Sequence, residues 1–117
     1  MQGLTIIVAS DDEARFHSAL SVGAANCALG KRTRIFLQGE AAALLSTREV
    51  AGRTPPSGMP SLFELIEEAM AVGVEIIVCQ SGLALAGMSA QRLPAGITTG
   101  GLMELLANRG DDQLLMA

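Results

Sequence analysis

The order of apolar and polar positions along the chain predicts strands alternating with helices. Residues 4–9 form an apolar, β-branched run unbroken by charge, as in a strand buried on both faces. It stops at Ser10, and Asp11 and Asp12 follow where a helix takes its cap and first-turn acids. Phe16, Leu20, Gly23 and Cys27 then recur at helical spacing and trace one buried stripe. Gly30 is placed to end this helix in a left-handed turn. Residues 34–37 predict a second strand before a Gln38-Gly39 turn, and 40–45 a short helix.

Over residues 46–60 the periodicity dissolves into Ser, Thr, Arg, Gly and proline, which predicts a surface loop or lid. Ser61 and Glu64 then make a capping box ahead of Leu62, Leu65, Ile66 and Ala69, and Gly73 ends that helix. Residues 74–79 predict a third buried strand. Residues 82–88 follow as a short helix without any charge, capped by Ser81 and needing cover on all sides from its own core or from another subunit. A fourth strand at 97–98, a helix over 100–108 and a last strand at 113–116 complete the pattern. The expectation is one α/β domain over residues 1–117. It has three layers, α/β/α, around a five-stranded, mainly parallel sheet in a flavodoxin-like order, with right-handed crossovers. Chemistry in such a sheet gathers outside the carboxyl ends of the strands. Those ends present Ser10 and Asp11, then Gln38 and Gly39, then Cys79, Gln80, Ser81 and Gly82, then Thr98, Thr99, Gly100 and Gly101.

Composition narrows the chemistry. Half of the 117 residues are hydrophobic and 17% are charged, enough apolar content for a core and far from a disordered composition. The net charge is −4, and Phe16, Phe36 and Phe63 are the only aromatic residues apart from His17. Neither a phosphate-neutralising face nor a base-stacking platform is present, so nucleic acid is excluded as a partner. No apolar stretch approaches the ~20 residues of a membrane span and no signal-peptide pattern opens the chain, which points to a cytoplasmic protein without a membrane role. Two cysteines and one histidine are too few for a cysteine-rich metal site, and no metal or cofactor is expected. A receiver-type acidic pair at Asp11 and Asp12 would need an aspartate where Cys79 stands and a lysine after the last strand, whereas the one lysine is Lys31. The same acids would repel a nucleotide phosphate. Their reading is helix capping.

Cys79 stands out because a thiol at the end of a central strand, just before a helix, sits in the crevice and near the positive end of a dipole. Amides after it favour the thiolate; Asp11 and Asp12, if close, oppose it. Position alone equally allows a buried cysteine that finishes an apolar strand. Cys27, on the stripe of Phe16 and Leu20, reads as core. His17, four residues from Glu13 on the other face of the first helix, reads as a solvated pair, so a Cys-His hydrolase has no base. The six methionines read as core filler.

The run Val74-Glu75-Ile76-Ile77-Val78-Cys79-Gln80-Ser81-Gly82-Leu83-Ala84-Leu85-Ala86-Gly87-Met88 resembles the DsrE/DsrF/TusD-like family. So do Leu93-Pro94-Ala95-Gly96-Ile97, the Asn26-Cys27-Ala28-Leu29-Gly30-Lys31 ending of the first helix and the Ile35-Phe36-Leu37-Gln38-Gly39 turn. The Cys-Gln-Ser segment is most similar to the subgroup once labelled peroxiredoxin-like. The resemblance implies a small α/β protein that assembles into trimers or larger rings. In several members a cysteine carries sulfur as a persulfide and passes it to or from a TusA-like carrier or a rhodanese. The sulfur-carrying cysteine of the family falls on Cys79. This chain has no second cysteine shortly after it, which leaves a local disulfide step without its partner, and the nearest arginine in sequence is Arg92.

The sequence therefore supports a sulfur-carrier or sulfurtransferase-like protein with Cys79 as the reacting residue and Ser10, Gln38, Gln80, Ser81, Gly82 and Thr99 around it. It associates with itself as a trimer or hexamer. The alternative is a non-catalytic small-molecule-binding or assembly module that keeps the fold and a passive thiol.

Overall fold

The computed structural model describes residues 2–46 and 60–117. The loop or lid expected over 46–60 lies, apart from Ser46 and Pro60, outside the described residues. Five strands form one sheet: β1 (Leu4–Val8), β2 (Thr33–Leu37), β3 (Glu75–Cys79), β4 (Thr98–Gly100) and β5 (Gln113–Met116). Every neighbouring pair is parallel. Among the described residues four α-helices accompany them: α1 (Glu13–Ala28), α2 (Leu62–Ala71), α3 (Gln80–Leu85) and α4 (Leu102–Ala107). The expected short helix after β2 is a 3-10 helix, Gly39–Leu45.

The local signals act as the sequence predicts at several ends. Asp12 caps α1, its Oδ1 accepting from the amides of Ala14 at 2.9 Å and Arg15 at 3.3 Å. Ser61 caps α2, accepting from the Glu64 amide at 3.1 Å and donating to its carboxylate at 3.2 Å. Gly30, with φ +88°, lets the chain leave α1. Two ends differ. α3 begins at Gln80, two residues before the expected start, so its cap is Cys79 and not Ser81. β4 starts at Thr98 and ends two residues beyond the expected 98, because its ladder with β3 continues to Cys79 and Gly100.

The order of the strands is 4-3-2-1-5. This differs from the flavodoxin order 2-1-3-4-5. From β1 the chain steps in one direction through β2 and β3 to β4, and α4 then leads back to β5 on the far side of β1. Burial matches this order: every residue of central β2 is buried, whereas every residue of edge strand β5 is exposed. Periodicity tells strand from helix but does not carry the order of neighbours.

The two faces of the sheet are unequally covered. Ile6, Val8, Ile35, Leu37, Ile76 and Val78 meet Phe16, Ala19 and Leu20 of α1 and Ile66 and Ala69 of α2 in the main core. The 3-10 helix and α3 add Ala41, Ala42, Leu44, Leu45 and Leu83 to the same cluster. On the other face Ile7 and Phe36 are covered by Leu105 of α4, with Ile77, Cys79 and Leu102 partly buried beside them.

Arg34 also lies on central β2 and is only 7% exposed. A charge buried there needs a partner. Asp112, just before β5, supplies it: its Oδ2 lies 3.4 Å from Arg34 Nη2 and 2.9 Å from Arg32 Nη2. Thr5 of β1 donates to the same oxygen at 3.2 Å, and Arg34 Nη2 also donates to the Asn108 carbonyl at 3.1 Å. Burial pushes the Asp112 carboxyl up, but the hydrogen bonds of Arg32 and Thr5 and the charges of Arg32 and Arg34 hold it below the usual aspartate value of 3.8. The stabilisation is therefore present above the unfolded carboxyl's titration and is lost as pH falls below about 4. Asp112→Asn leaves Arg34 buried without a counter-charge and is expected to cost about 3 kcal/mol in urea unfolding at pH 7. The gap to the parent should narrow steadily as the pH is lowered through 4 to 2.

Candidate functional site

Parallel strands place all their carboxyl ends along one edge of the sheet. Leu37 of β2 pairs with Val78 of β3, so the turn that follows β2 lies beside Cys79. That turn contains Gly39, whose φ of +58° favours a residue without a side chain. Cys79 ends β3 and, at φ −64° and ψ 126°, is also the cap residue of α3. Its side chain is half-buried on the α4 side of the sheet, against the cluster of Ile7, Phe36 and Leu105.

The backbone amides of Gly39, Gly82 and Ser81 are near enough to this sulfur to act on its titration. Burial raises the thiol's pKa; the amides of Gly39, Gly82 and Ser81, joined by the Ser81 hydroxyl, lower it by more, and the net value falls below the 9.0 of an ordinary thiol. The sulfur makes no tight capping bond as it stands. The surrounding N-H groups act as dipoles already aimed at it, and their effect grows when the sulfur becomes charged. The arrangement therefore lowers the thiol's pKa without a histidine. His17 is elsewhere, sharing a shallow hollow on α1 with Glu13, Ala14 and Ser18.

The expected neighbours of Cys79 divide into two groups. Ser81 and Gly82 contribute donors directly, and Gln80 and Gln38 flank them in the chain. Ser10 belongs to the start of α1, where its hydroxyl accepts from the Asp12 amide at 3.4 Å, and β2 stands between β1 and β3. Thr99 pairs with Val78, and Gly100 pairs with Cys79, so the strand register aligns Thr99 with the opposite face of the sheet. Gly39, which the sequence places at a strand end, is a donor whose role sequence reasoning did not assign. A glycine in a turn after a buried strand is the signal that could have singled it out.

Cys27 is half-buried and donates its S-H to the Val72 carbonyl at 3.2 Å. Val72 lies just ahead of β3 and Cys79 at its far end, so strand length separates the two sulfurs by on the order of 15 Å. An internal disulfide between them is excluded by that span. Among the described residues no group of three or more His, Cys, Asp or Glu side chains is placed to hold a metal ion, and no helix is long and apolar enough to cross a membrane.

With this geometry in hand, a sequence profile of the DsrE/DsrF-like family matches residues 2–112. The chain belongs to the DsrE/DsrF-like family. Among solved structures, this DsrE-like protein is similar to the ychN protein from E. coli, with a TM-score of 0.70 and 24% identity over 100% of both chains. It is also similar to MTH1491, a protein of unknown function from Methanobacterium thermoautotrophicum, with a TM-score of 0.75 and 15% identity over 100% of both chains. These likenesses establish the DsrE-like fold. No curated protein matches the chain.

The amide cradle has a direct readout. Alkylation of Cys79 by iodoacetamide, followed by peptide mass spectrometry, should show a rate that rises with pH to a plateau, with a midpoint below 9.0. The midpoint should return to the ordinary thiol range in urea. Ser81→Ala removes one donor and is expected to move the folded-state midpoint upward.

Proposed function

We propose that this DsrE-like protein is a sulfur carrier in which the Cys79 thiolate accepts sulfane sulfur as a persulfide and relays it to a partner protein. The observation that carries the reading is the convergence of the Gly39, Ser81 and Gly82 amides on a half-buried thiol at the end of β3. The step is a thiol exchange. Cys79 sulfur attacks the terminal sulfur of a donor persulfide, a new S–S bond forms, the donor's own S–S bond breaks, and the donor leaves as a thiolate. No net oxidation occurs. An acceptor thiolate then attacks the terminal sulfur on Cys79 and regenerates the Cys79 thiolate. The amides suit both states, since the charge moves by only one sulfur atom. A TusA-like carrier or a rhodanese is the kind of partner proposed, on the strength of the family resemblance.

Self-association into a trimer or hexamer is part of the same proposal. The α4 side of the sheet is thinly covered, and Met103 at 85%, Leu106 at 45%, Leu114 at 41% and Met116 at 60% exposure lie on α4 and the edge strand β5. A second copy would remove this apolar surface from water. Multi-angle light scattering should give a mass of three or six chains, and Met116→Lys with Leu114→Glu should reduce it.

Intact-mass analysis after exposure to polysulfide tests the central claim. A gain of sulfur that Cys79→Ser abolishes and Cys27→Ser retains is the expected result. Loading that survives Cys79→Ser, or none in the parent, would favour a binding or assembly module with a passive thiol.

A further inference from the structure

We infer that Gly82 is a positioning residue: the absence of its side chain allows the turn after β2 to close on α3, which brings the Gly39 amide to the Cys79 sulfur. A Cβ at Gly82 would overlap the Gly39 carbonyl oxygen and come within 3.2 Å of both the Gly39 carbonyl carbon and the Ala42 Cβ. The first obstacle is backbone, so no rotamer change relieves it. Nor can the 3-10 helix retreat easily, because Ala41, Ala42, Leu44 and Leu45 within it are all buried in the main core. A side chain at position 82 must instead push the start of α3 away from the turn.

The consequence for the thiol follows from where the donors originate. Ser81 and Gly82 belong to the same chain segment as Cys79 and move with it when α3 shifts. Gly39 comes from the end of a different strand, and the Gly82 backbone packs directly against its carbonyl. It has no side chain of its own to crowd the site: a Cβ at Gly39 would meet nothing within 4 Å. Gly39 is required by its backbone conformation, with φ +58°, and Gly82 by close approach. The pair makes the cradle two-sided, with one donor fixed across the strand boundary and two that travel with the nucleophile.

This inference rests on the reactive-thiol reading of Cys79 but is tested without sulfur transfer. Gly82→Ala and a variant in which the amide N-H at residue 39 is replaced by an ester oxygen, made by semisynthesis, are compared with the parent in the pH profile of Cys79 alkylation. Both should move the midpoint to higher pH, with about tenfold slower alkylation at neutral pH, the scale of one lost hydrogen bond to a charged acceptor. The ester leaves every side chain in place, so it decides the question if Gly82→Ala fails to fold. A folded ester variant with the parent's pH profile would overturn the inference. Polysulfide loading of the parent, measured alongside, separates the two ideas. Loading with unchanged profiles keeps the carrier and removes the positioning role; shifted profiles without loading do the reverse.

Discussion

The buried charge of Arg34 is the constraint around which this sheet is organised. Central β2 has no exposed residue, yet it carries an arginine, and the guanidinium must find compensation inside the protein. It does so through Asp112, which also receives Arg32 and Thr5. One carboxylate thus joins β2, β1 and the approach to β5. The compensation is incomplete, since Arg34 Nε is buried without a hydrogen-bond partner. Such a network contributes less through net energy than through the alternatives it excludes. A sheet in which β5 docked elsewhere would leave Arg34 unpaired.

That anchoring fixes the other edge of the sheet, where the chemistry is. With β2 held at the centre and β3 beside it in parallel register, the turn after β2 and the start of α3 meet at Cys79. The elements at the site are short and would be marginal alone; α3 spans Gln80–Leu85. Their geometry comes from packing Leu83, Ala41 and Ala42 into the main core. A cysteine activated by amides needs only backbone placed correctly, which suits a chain with one histidine and few aromatic residues.

Much of this was legible in the sequence because local signals and tertiary structure agree. Asp12, Ser61, Gly30 and the stripe of Phe16 and Leu20 act where their spacing places them. The position of Cys79 at the end of a buried strand could be read as well. Strand order could not, because it is decided by contacts such as Arg34 with Asp112, 78 residues apart. Ser10 and Thr99 were drawn into the site by assuming that all strand ends converge, whereas intervening β2 and alternating faces separate them from the thiol. Gly39 was hidden for the opposite reason. A residue that acts through its backbone shows in the sequence only as a turn glycine, with no reactive group to single it out.

The bond from Thr5 to Asp112 joins positions 107 residues apart. Loop-closure entropy makes a contact of that span slow to form, and β1 cannot gain its second neighbour until it does. Asp112 immediately precedes β5, so the segment that closes the sheet along β1 is the same one that carries the counter-ion to Arg34, and closure of the sheet and neutralisation of its centre are one structural feature.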